Sequence, residues 1–182
     1  MRIRVIGVLC LLLVGCATSR PAFTPPAAGI GLMLAPATLG QSLSLQQHLT
    51  VERGGQTHEL DTVLEIDSRH LELVGLAFGQ RIMTLRYDGK TLQTWRDPHM
   101  PPQVSGQRVL EDIELTLWPT EAIRQALPAG WRIEDDGKRR TLWLEDVPVV
   151  VIVYPDGRRW GNGVVLTNQR YHYRLTIQST SM

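Results

Sequence analysis

The stretch LSLQQHLTVERGGQTHELDTVLEI, residues 43–66, decides the fold. Apolar side chains recur at every second position from Leu43 to Val51 except at Gln47, and a similar alternation resumes between His58 and Ile66. Between the two runs, Arg53-Gly54-Gly55-Gln56 supplies the glycines that a tight turn favours. The stretch therefore predicts an antiparallel hairpin with one apolar face.

Further short runs extend this pattern on both sides of a helical segment. Strands are predicted near residues 69–74, 83–87, 92–95, 131–134, 141–145, 147–154, 164–167 and 171–177. Apolar residues at helical spacing between Val109 and Leu117, and the segment EAIRQAL after Pro119, predict two short helices. The expected fold is mainly β with a helical insertion (α+β), as a curved antiparallel half-barrel of about ten strands covered by short helices. A plain sandwich of two sheets is the alternative.

The first fifteen residues have the pattern of a lipoprotein signal peptide. Arg2 and Arg4 precede an apolar run, Val5 to Val14, that is too short to span a bilayer. Leu13-Val14-Gly15-Cys16 then matches a lipobox, in which a peptidase cuts before a diacylated cysteine. The alternative is an ordinary cleaved signal whose apolar run happens to end in cysteine. The lipobox predicts that Cys16 carries diacylglycerol and an added acyl chain such as palmitate.

The predicted organisation has three parts: signal peptide 1–15, lipidated Cys16 with a flexible tether over 16–36, and a folded domain over 37–182. The tether is rich in Ala, Pro and Gly, and its segment 29–34 is apolar enough to dock onto the domain. The chain has only two cysteines, so no disulfide is expected after processing. Its net charge of +1 gives no indication of nucleic-acid binding.

No motif for catalysis is present. Five histidines occur without the spacing of a metal site, and no nucleophile elbow is found. We therefore expect no enzyme activity, no metal and no cofactor. A basic group at 138–140 and 158–159, with tryptophans nearby in sequence, has two interpretations: a phosphate grip, or the exposed ends of hairpins.

The segment LVGLAFG, residues 73–79, is apolar where a connection between strands is usually polar. Gly75, Leu76, Phe78 and Gly79 form a candidate membrane or cargo loop. Leu76 and Phe78 either fold under the sheet or project, and projecting side chains suit contact with a membrane or with acyl chains.

Three stretches resemble the LolA/LolB lipoprotein-localisation family, and are most similar to LolB-like lipoproteins associated with aryl-polyene biosynthesis. They are LELVGLAFGQRIMTLRYDGK (71–90), WPTEAIRQALPAG (118–130) and NGVVLTNQRYHYRLTI (162–177). The resemblance implies an incomplete barrel closed by helices, with an apolar cavity for lipoprotein acyl chains. It also implies a projecting loop at 75–79, a periplasmic LolA-like carrier as partner and, with Ala17 after Cys16, the periplasmic face of the outer membrane.

The expected function is a membrane-anchored lipoprotein that binds acyl chains or another hydrophobic lipid and helps deliver it to the bilayer. The alternative is a structural or interaction lipoprotein with a packed core that binds an envelope protein. Candidate lining residues of the cavity, which fit a solid core equally well, are Leu85, Tyr87, Trp95, Trp143 and Val151.

Overall fold

The structure, a computed structural model, describes residues 30–182. The predictions for the signal peptide, for Cys16 and for the tether up to residue 29 lie outside the described residues.

Ten strands and two α-helices follow a short 3-10 helix, Pro36–Leu39. The first five strands are β1 (Leu43–Arg53), β2 (Gln56–Ile66), β3 (Leu71–Ala77), β4 (Gln80–Tyr87) and β5 (Leu92–Arg96). The helices are α1 (Gly106–Leu117) and α2 (Thr120–Ala126). The remaining strands are β6 (Trp131–Asp135), β7 (Arg139–Leu144), β8 (Val147–Val153), β9 (Val164–Asn168) and β10 (Tyr173–Ser181).

All ten strands form one antiparallel sheet in the order β5-β4-β3-β2-β1-β10-β9-β8-β7-β6. The first and last strands of the chain are therefore neighbours at the centre of the sheet, and β5 and β6 are its two edges. The sheet is open rather than closed. This confirms a mainly β fold with ten strands and a helical insertion, and it is consistent with a curved half-barrel. One sheet of ten strands is not the alternative sandwich.

The hairpin of β1 and β2 forms as the sequence predicts. Leu45 lies opposite Leu64, and Leu49 lies opposite Leu60, so their side chains share one face of the sheet. The turn between the strands has positive φ angles of 58° and 78° at its two glycines, Gly54 and Gly55. Two successive residues with positive φ match the twist of the strands that they join.

The core lies on one face of the sheet, which we call the inner face. This face carries the side chain of Leu45 and the side chains on the other strands that point the same way as Leu45 does. Both helices contribute apolar side chains to the same buried cluster. Its largest fully buried aromatic residues are Trp118, Tyr87 and Tyr154. The other face, the outer face, carries mostly exposed or half-buried side chains.

The helices cover only part of the inner face. Helix α1 begins after Ser105, whose hydroxyl accepts a 3.3 Å hydrogen bond from the amide of Arg108. Trp118, just after α1, is fully buried, and its indole Nε1 donates to Thr38 Oγ1 over 2.9 Å. Within residues 30–182, no helix combines the length and apolar character needed to cross a membrane.

Residues 30–35, which we call the N-terminal strap, pack on the inner face. Ile30, Leu32 and Leu34 belong to the core cluster, with exposed fractions of 9%, 0% and 7%. Met33, between two of them, is 42% exposed. The apolar segment at 29–34 thus docks where the structure describes it, and residues 30–36 belong to the folded unit although the sequence boundary at residue 37 left them in the tether.

Candidate functional site

The hairpin of β3 and β4 ends in a two-residue turn that projects an aromatic ring. Ala77 pairs with Gln80, which leaves Phe78 and Gly79 as the turn residues. Their φ angles are 52° and 74°, and the side chain of Phe78 is fully exposed, at 103% of its reference area. Positive φ is costly for a bulky residue, and asparagine is the usual choice at this position. Phe78 therefore projects into solvent, and both its exposed apolar ring and its positive φ angle are unfavourable in free energy.

The other residues of the predicted loop lie within the strands. Leu76 is half-buried and pairs with Arg81 and with Asp61. Gly75 is buried opposite Met83, and a β-bulge separates it from Leu76. Only Phe78 and Gly79 therefore extend beyond the sheet.

A second aromatic ring is exposed on the neighbouring edge strand. Trp95, in β5, is 43% exposed, and the guanidinium of Arg81 lies 4.8 Å from the centroid of its indole ring. A cation at this distance is attracted to the face of the ring. Phe78, Arg81 and Trp95, which we call the tip patch, thus combine exposed apolar surface with a cation.

The five predicted lining residues divide between the two faces of the sheet. Leu85 and Tyr87 are buried on the inner face, with exposed fractions of 2% and 0%. Trp95, Trp143 and Val151 lie on the outer face, which corrects the prediction that they line an interior.

The reason for this correction is the pairing register. Leu85 pairs with Thr94, so Thr94 points inward and its neighbour in sequence points outward. Leu142 pairs with Val150 and both point inward, so Trp143 and Val151, the residues that follow them, point outward. Sequence alternation marks the residues that share a face, but it does not tell which face is covered.

The inner face is filled by the strap and by α1. A cavity of only about 10 Å³ remains between them and the sheet, bordered by Ile30, Leu115 and Val150. This volume is about what one water molecule needs. The described residues thus enclose no space for an acyl chain at this position while the strap is in place.

Polar groups of α1 hold the strap by its backbone. The amide of Gly31 donates to Glu111 Oε1 over 2.9 Å, and the amide of Leu34 donates to Glu114 Oε1 over 2.7 Å. Gln107 Nε2 donates to the carbonyl of Leu32 over 3.2 Å. The strap forms no strand of the sheet, so these side chains provide backbone partners that a neighbouring strand would otherwise supply.

Two carboxyl groups on α1 have strongly raised pKa values. Burial raises the pKa of Glu114 to about 8, against the effect of the Leu34 amide, and the charge of Glu111 raises it further. Burial also raises the pKa of Asp112 to about 7, although the Tyr173 hydroxyl, which donates a hydrogen bond to Asp112, lowers it. Helix α1 therefore carries protonated carboxyl groups near neutral pH.

Two buried polar atoms close to the strap make no hydrogen bond within the described residues. They are Oε2 of Glu114 and the hydroxyl of Tyr87, and both residues have 0% exposure. Burial, and then the charge of Glu114, raise the pKa of Tyr87 to about 12. The turn after Tyr87 lies against the end of the strap, since a Cβ placed on Gly89 would lie 3.6 Å from the Cα of Ala35. The otherwise apolar inner face thus contains two buried polar atoms without a hydrogen-bond partner among the described residues.

The basic residues at 138–140 and 158–159 are divided between a buried network and the surface. Arg140, 1% exposed, donates from Nε to Asp135 over 2.8 Å, and Arg159 donates to both oxygens of Asp135 over 2.9 Å. Thr120 also donates to this carboxylate, and together these bonds hold the pKa of Asp135 well below its usual range despite burial. The interpretation as a phosphate grip therefore loses its two central arginines. The sequence gives no local sign of this network, because Arg159 lies 24 residues from Asp135 in the chain.

The histidines and acidic residues of the described part give no metal centre. Between residues 30 and 182, no three His, Cys, Asp or Glu side chains are placed to share a metal ion. His48 lies 2.9 Å from Asp61, beside an open polar depression of about 740 Å³ on the outer face. No serine or cysteine nucleophile borders this depression.

The fold and the tip patch define a mainly β protein with an open ten-stranded sheet and an exposed aromatic hairpin. A family model described as "Protein of unknown function (DUF3261)" matches residues 44–181, and the chain belongs to this family. The match covers both helices and all ten strands apart from Leu43, the first residue of β1. It does not connect the chain to LolA or LolB in particular. Among curated proteins, none matches.

Proposed function

We propose that this protein is a lipoprotein, anchored through Cys16 at the periplasmic face of the outer membrane, that carries a hydrophobic lipid. It holds an acyl chain or a similar apolar chain against the inner face of a curved half-barrel. It delivers this cargo to the bilayer through the hairpin of β3 and β4. The observation that carries the proposal is the fully exposed ring of Phe78.

The exposure of Phe78 has a physical cost without a benefit to folding. A phenylalanine ring transferred from water to an apolar phase gains about 1.5–3 kcal/mol, and the positive φ of 52° adds strain. Both costs are offset if the ring enters a membrane during delivery. The two-residue turn supports this role because it places the ring at the outermost point of a rigid hairpin.

The remainder of the tip patch suits the boundary between membrane and water. Tryptophan rings favour this boundary because they are apolar with one polar edge, and arginine extends its charged group towards water or lipid phosphate. Trp95 and Arg81 lie behind Phe78 along the hairpin and its neighbouring strand. Insertion of Phe78 would therefore bring both into the interfacial layer.

The inner face provides the apolar surface that a chain-like cargo needs. Leu64, Leu73 and Leu85 are neighbours across three adjacent strands and are buried. Burial of an acyl chain contributes about 0.8 kcal/mol per CH₂ group, without any polar contact. The resemblance to LolA and LolB supports a periplasmic carrier as the donor of the cargo, and transfer between two apolar sites requires neither nucleotide nor metal.

The test compares three versions of Phe78 in a transfer assay. The mature chain carrying Cys16→Ser, which removes the predicted lipid, is loaded with pyrene-labelled dodecanol and mixed with vesicles of phosphatidylethanolamine and phosphatidylglycerol. Phe78→Glu is expected to slow transfer roughly tenfold or more, whereas Phe78→Leu retains it, because leucine still enters the bilayer. Equal transfer by both variants contradicts the role of the hairpin. If no variant takes up dodecanol, the carrier function itself is wrong.

A second candidate function is an interaction lipoprotein with a packed core. The filled inner face, with its residual cavity of about 10 Å³, favours it. In this case the tip patch would bind an envelope protein, and the domain would take up no apolar chain. Uptake of dodecanol by the mature chain distinguishes the two functions.

A further inference from the structure

We infer that the N-terminal strap occupies the cargo site of the resting protein, and that a neutral chain with a hydrogen-bond donor at one end replaces it. This inference rests on the proposed carrier function and names the regulation and the cargo class of the same site. The strap is thus an internal competitor whose release opens the inner face.

The apolar side chains of the strap lie in a row against the core, as a short apolar ligand would. Ile30, Leu32 and Leu34 point into the core at every second residue, while Met33 faces solvent. The strap belongs to no strand of the sheet, so its removal breaks no ladder of backbone hydrogen bonds between strands. The fold of the sheet therefore does not depend on the strap through hydrogen bonding, although apolar surface is lost when the strap leaves.

Besides the burial of its three apolar side chains, the strap is held by three hydrogen bonds to side chains of α1. They join Gly31 to Glu111, Leu34 to Glu114, and Leu32 to Gln107. Each such bond contributes only about 0.5–1.5 kcal/mol net. An apolar chain that covers the same surface and supplies equivalent donors is therefore a realistic competitor.

The groups that hold the strap also define the cargo. Glu111 and Glu114 accept backbone N–H groups, so a replacing ligand needs an N–H or O–H donor. The three side chains that bind the strap are two carboxyls and an amide, and Arg170 borders the small cavity next to Ile30. A chain that ends in a carboxylate would place a like charge beside Glu111, which is unfavourable. Alcohols and N-acyl amides therefore match the groups that bind the strap better than ionised fatty acids do.

The buried polar atoms beneath the strap support the same cargo class. Glu114 Oε2 and the Tyr87 hydroxyl are completely buried and make no hydrogen bond within the described residues. A polar group of the cargo that reaches below the plane of the strap would give them a partner. An apolar site with a few converging polar groups is the usual form of a small-molecule site.

The first experiment uses hydrogen exchange of the mature chain carrying Cys16→Ser. Dodecanol is expected to increase exchange in the peptide that contains Gly31 and Leu34 at least tenfold, while the peptides of β1 and β10 stay protected. If dodecanol binds and this peptide stays protected, the carrier function holds and the strap inference is wrong. If neither the wild-type chain nor a strap variant binds dodecanol, the proposed carrier function is wrong, and the strap inference, which rests on it, is wrong as well.

The second experiment releases the strap without changing a core side chain. Gly31→Pro removes the amide that bonds to Glu111 and forbids the local φ of 75°. It is expected to increase the affinity for dodecanol roughly fivefold or more, since the competitor is weakened. Met33→Ala, an exposed change on the same strap, leaves the affinity as it is. Unchanged or weaker binding by a folded Gly31→Pro variant overturns the inference.

A comparison of two probes tests the cargo class. Dodecanol is expected to bind at least tenfold more tightly than dodecanoate at neutral pH. Equal binding, or tighter binding of dodecanoate, overturns the role of Glu111 and Glu114 as the polar contacts of the cargo. Because wild-type protein is used, this result does not depend on the folding of any variant.

Discussion

The amide of Leu34 donates a 2.7 Å hydrogen bond to Oε1 of Glu114, across 80 residues of sequence. It joins the beginning of the folded unit to the one helix that lies against β5, and Glu114 has no exposed surface. A buried carboxyl group that accepts a backbone amide has to be neutral or lose much of its hydration. The strap therefore depends on the protonation state of α1.

Stability is expected to fall as the pH rises from about 5 to 8. Burial raises the pKa of Glu114 from 4.5 to about 8 and that of Asp112 from 3.8 to about 7. Above about pH 5 the unfolded chain has released most of these protons, while the folded chain keeps that of Asp112 up to about pH 7 and that of Glu114 up to about pH 8, so rising pH favours unfolding. The free energy of unfolding, from urea titrations, is expected to decrease on the order of 1 kcal/mol per pH unit.

The matched control for this pH dependence is Glu114→Gln, which keeps the acceptor for Leu34 but does not ionise. Its stability is expected to vary less with pH than that of the wild type. A stability that is constant or increases between pH 5 and 8 would show that Glu114 and Asp112 are ionised in the folded protein.

Loss of the Asp135 carboxylate is expected to destabilise the protein strongly. Asp135→Asn leaves Arg140, 1% exposed, and Arg159 without their counter-charge. Removal of one partner from a buried ionic network typically costs about 3–5 kcal/mol. Asp156→Asn, in an exposed pair with Arg158, is the control and is expected to cost less than about 1 kcal/mol. Similar midpoints of urea unfolding for the two variants would argue against the network.

Two neighbouring residues of the strap are expected to differ sharply in their effect on stability. Leu32→Ala removes a fully buried side chain and should cost about 2–5 kcal/mol. Met33→Ala, at a position 42% exposed, should stay within about 0.5 kcal/mol of the wild type. The measurement is chemical denaturation of both variants at one pH. Equal, small effects would mean that the strap does not pack on the domain in solution.

Phe78 is expected to promote lipid transfer while it lowers the stability of the fold. Phe78→Asn places a residue that tolerates positive φ before Gly79, so it should raise stability by about 0.5–1 kcal/mol. The same variant should lose transfer of pyrene-labelled dodecanol to vesicles. Thermal unfolding and the transfer assay together check this trade-off. A variant that is both less stable and fully active would indicate that Phe78 serves the fold.

Trp95 provides an internal probe of membrane contact. In vesicles that contain brominated phosphatidylcholine, part of the tryptophan emission of the lipid-anchored protein is expected to be quenched, because Trp95 lies behind Phe78 at the interface. Trp95→Phe is expected to remove the quenched fraction. Quenching that persists in this variant would place another tryptophan, and not the tip patch, against the membrane.

The strand pattern could be predicted from sequence because it depends on local alternation and turn residues. Gly54-Gly55 and Asp88-Gly89 mark their hairpins directly, and Asp88 confirms its turn by accepting from the amides of Lys90 and Thr91. The two helices follow from apolar spacing and from Pro119. These signals involve residues that are close in the chain.

The interior could not be predicted because it depends on long-range register. Nothing local distinguishes Leu85, which points inward, from Trp95, which points outward, until β4 and β5 are paired. The strap was visible only as an apolar segment, and its contact with Glu114 lies 80 residues away in sequence. The two arginine partners of Asp135 become apparent only when β6, β7 and the loop after β8 are brought together.

The central claim is that this domain carries a hydrophobic chain, and native mass spectrometry tests it most directly. The chain from residue 17 onward, exported behind a cleavable signal peptide without a lipobox, is purified gently from the periplasm of its host, and its mass is measured before and after addition of dodecanol. The account predicts a non-covalent hydrophobic molecule on the purified protein, or stoichiometric uptake of dodecanol, with more uptake by Gly31→Pro. A clean mass in both variants that does not change with dodecanol would contradict the carrier function.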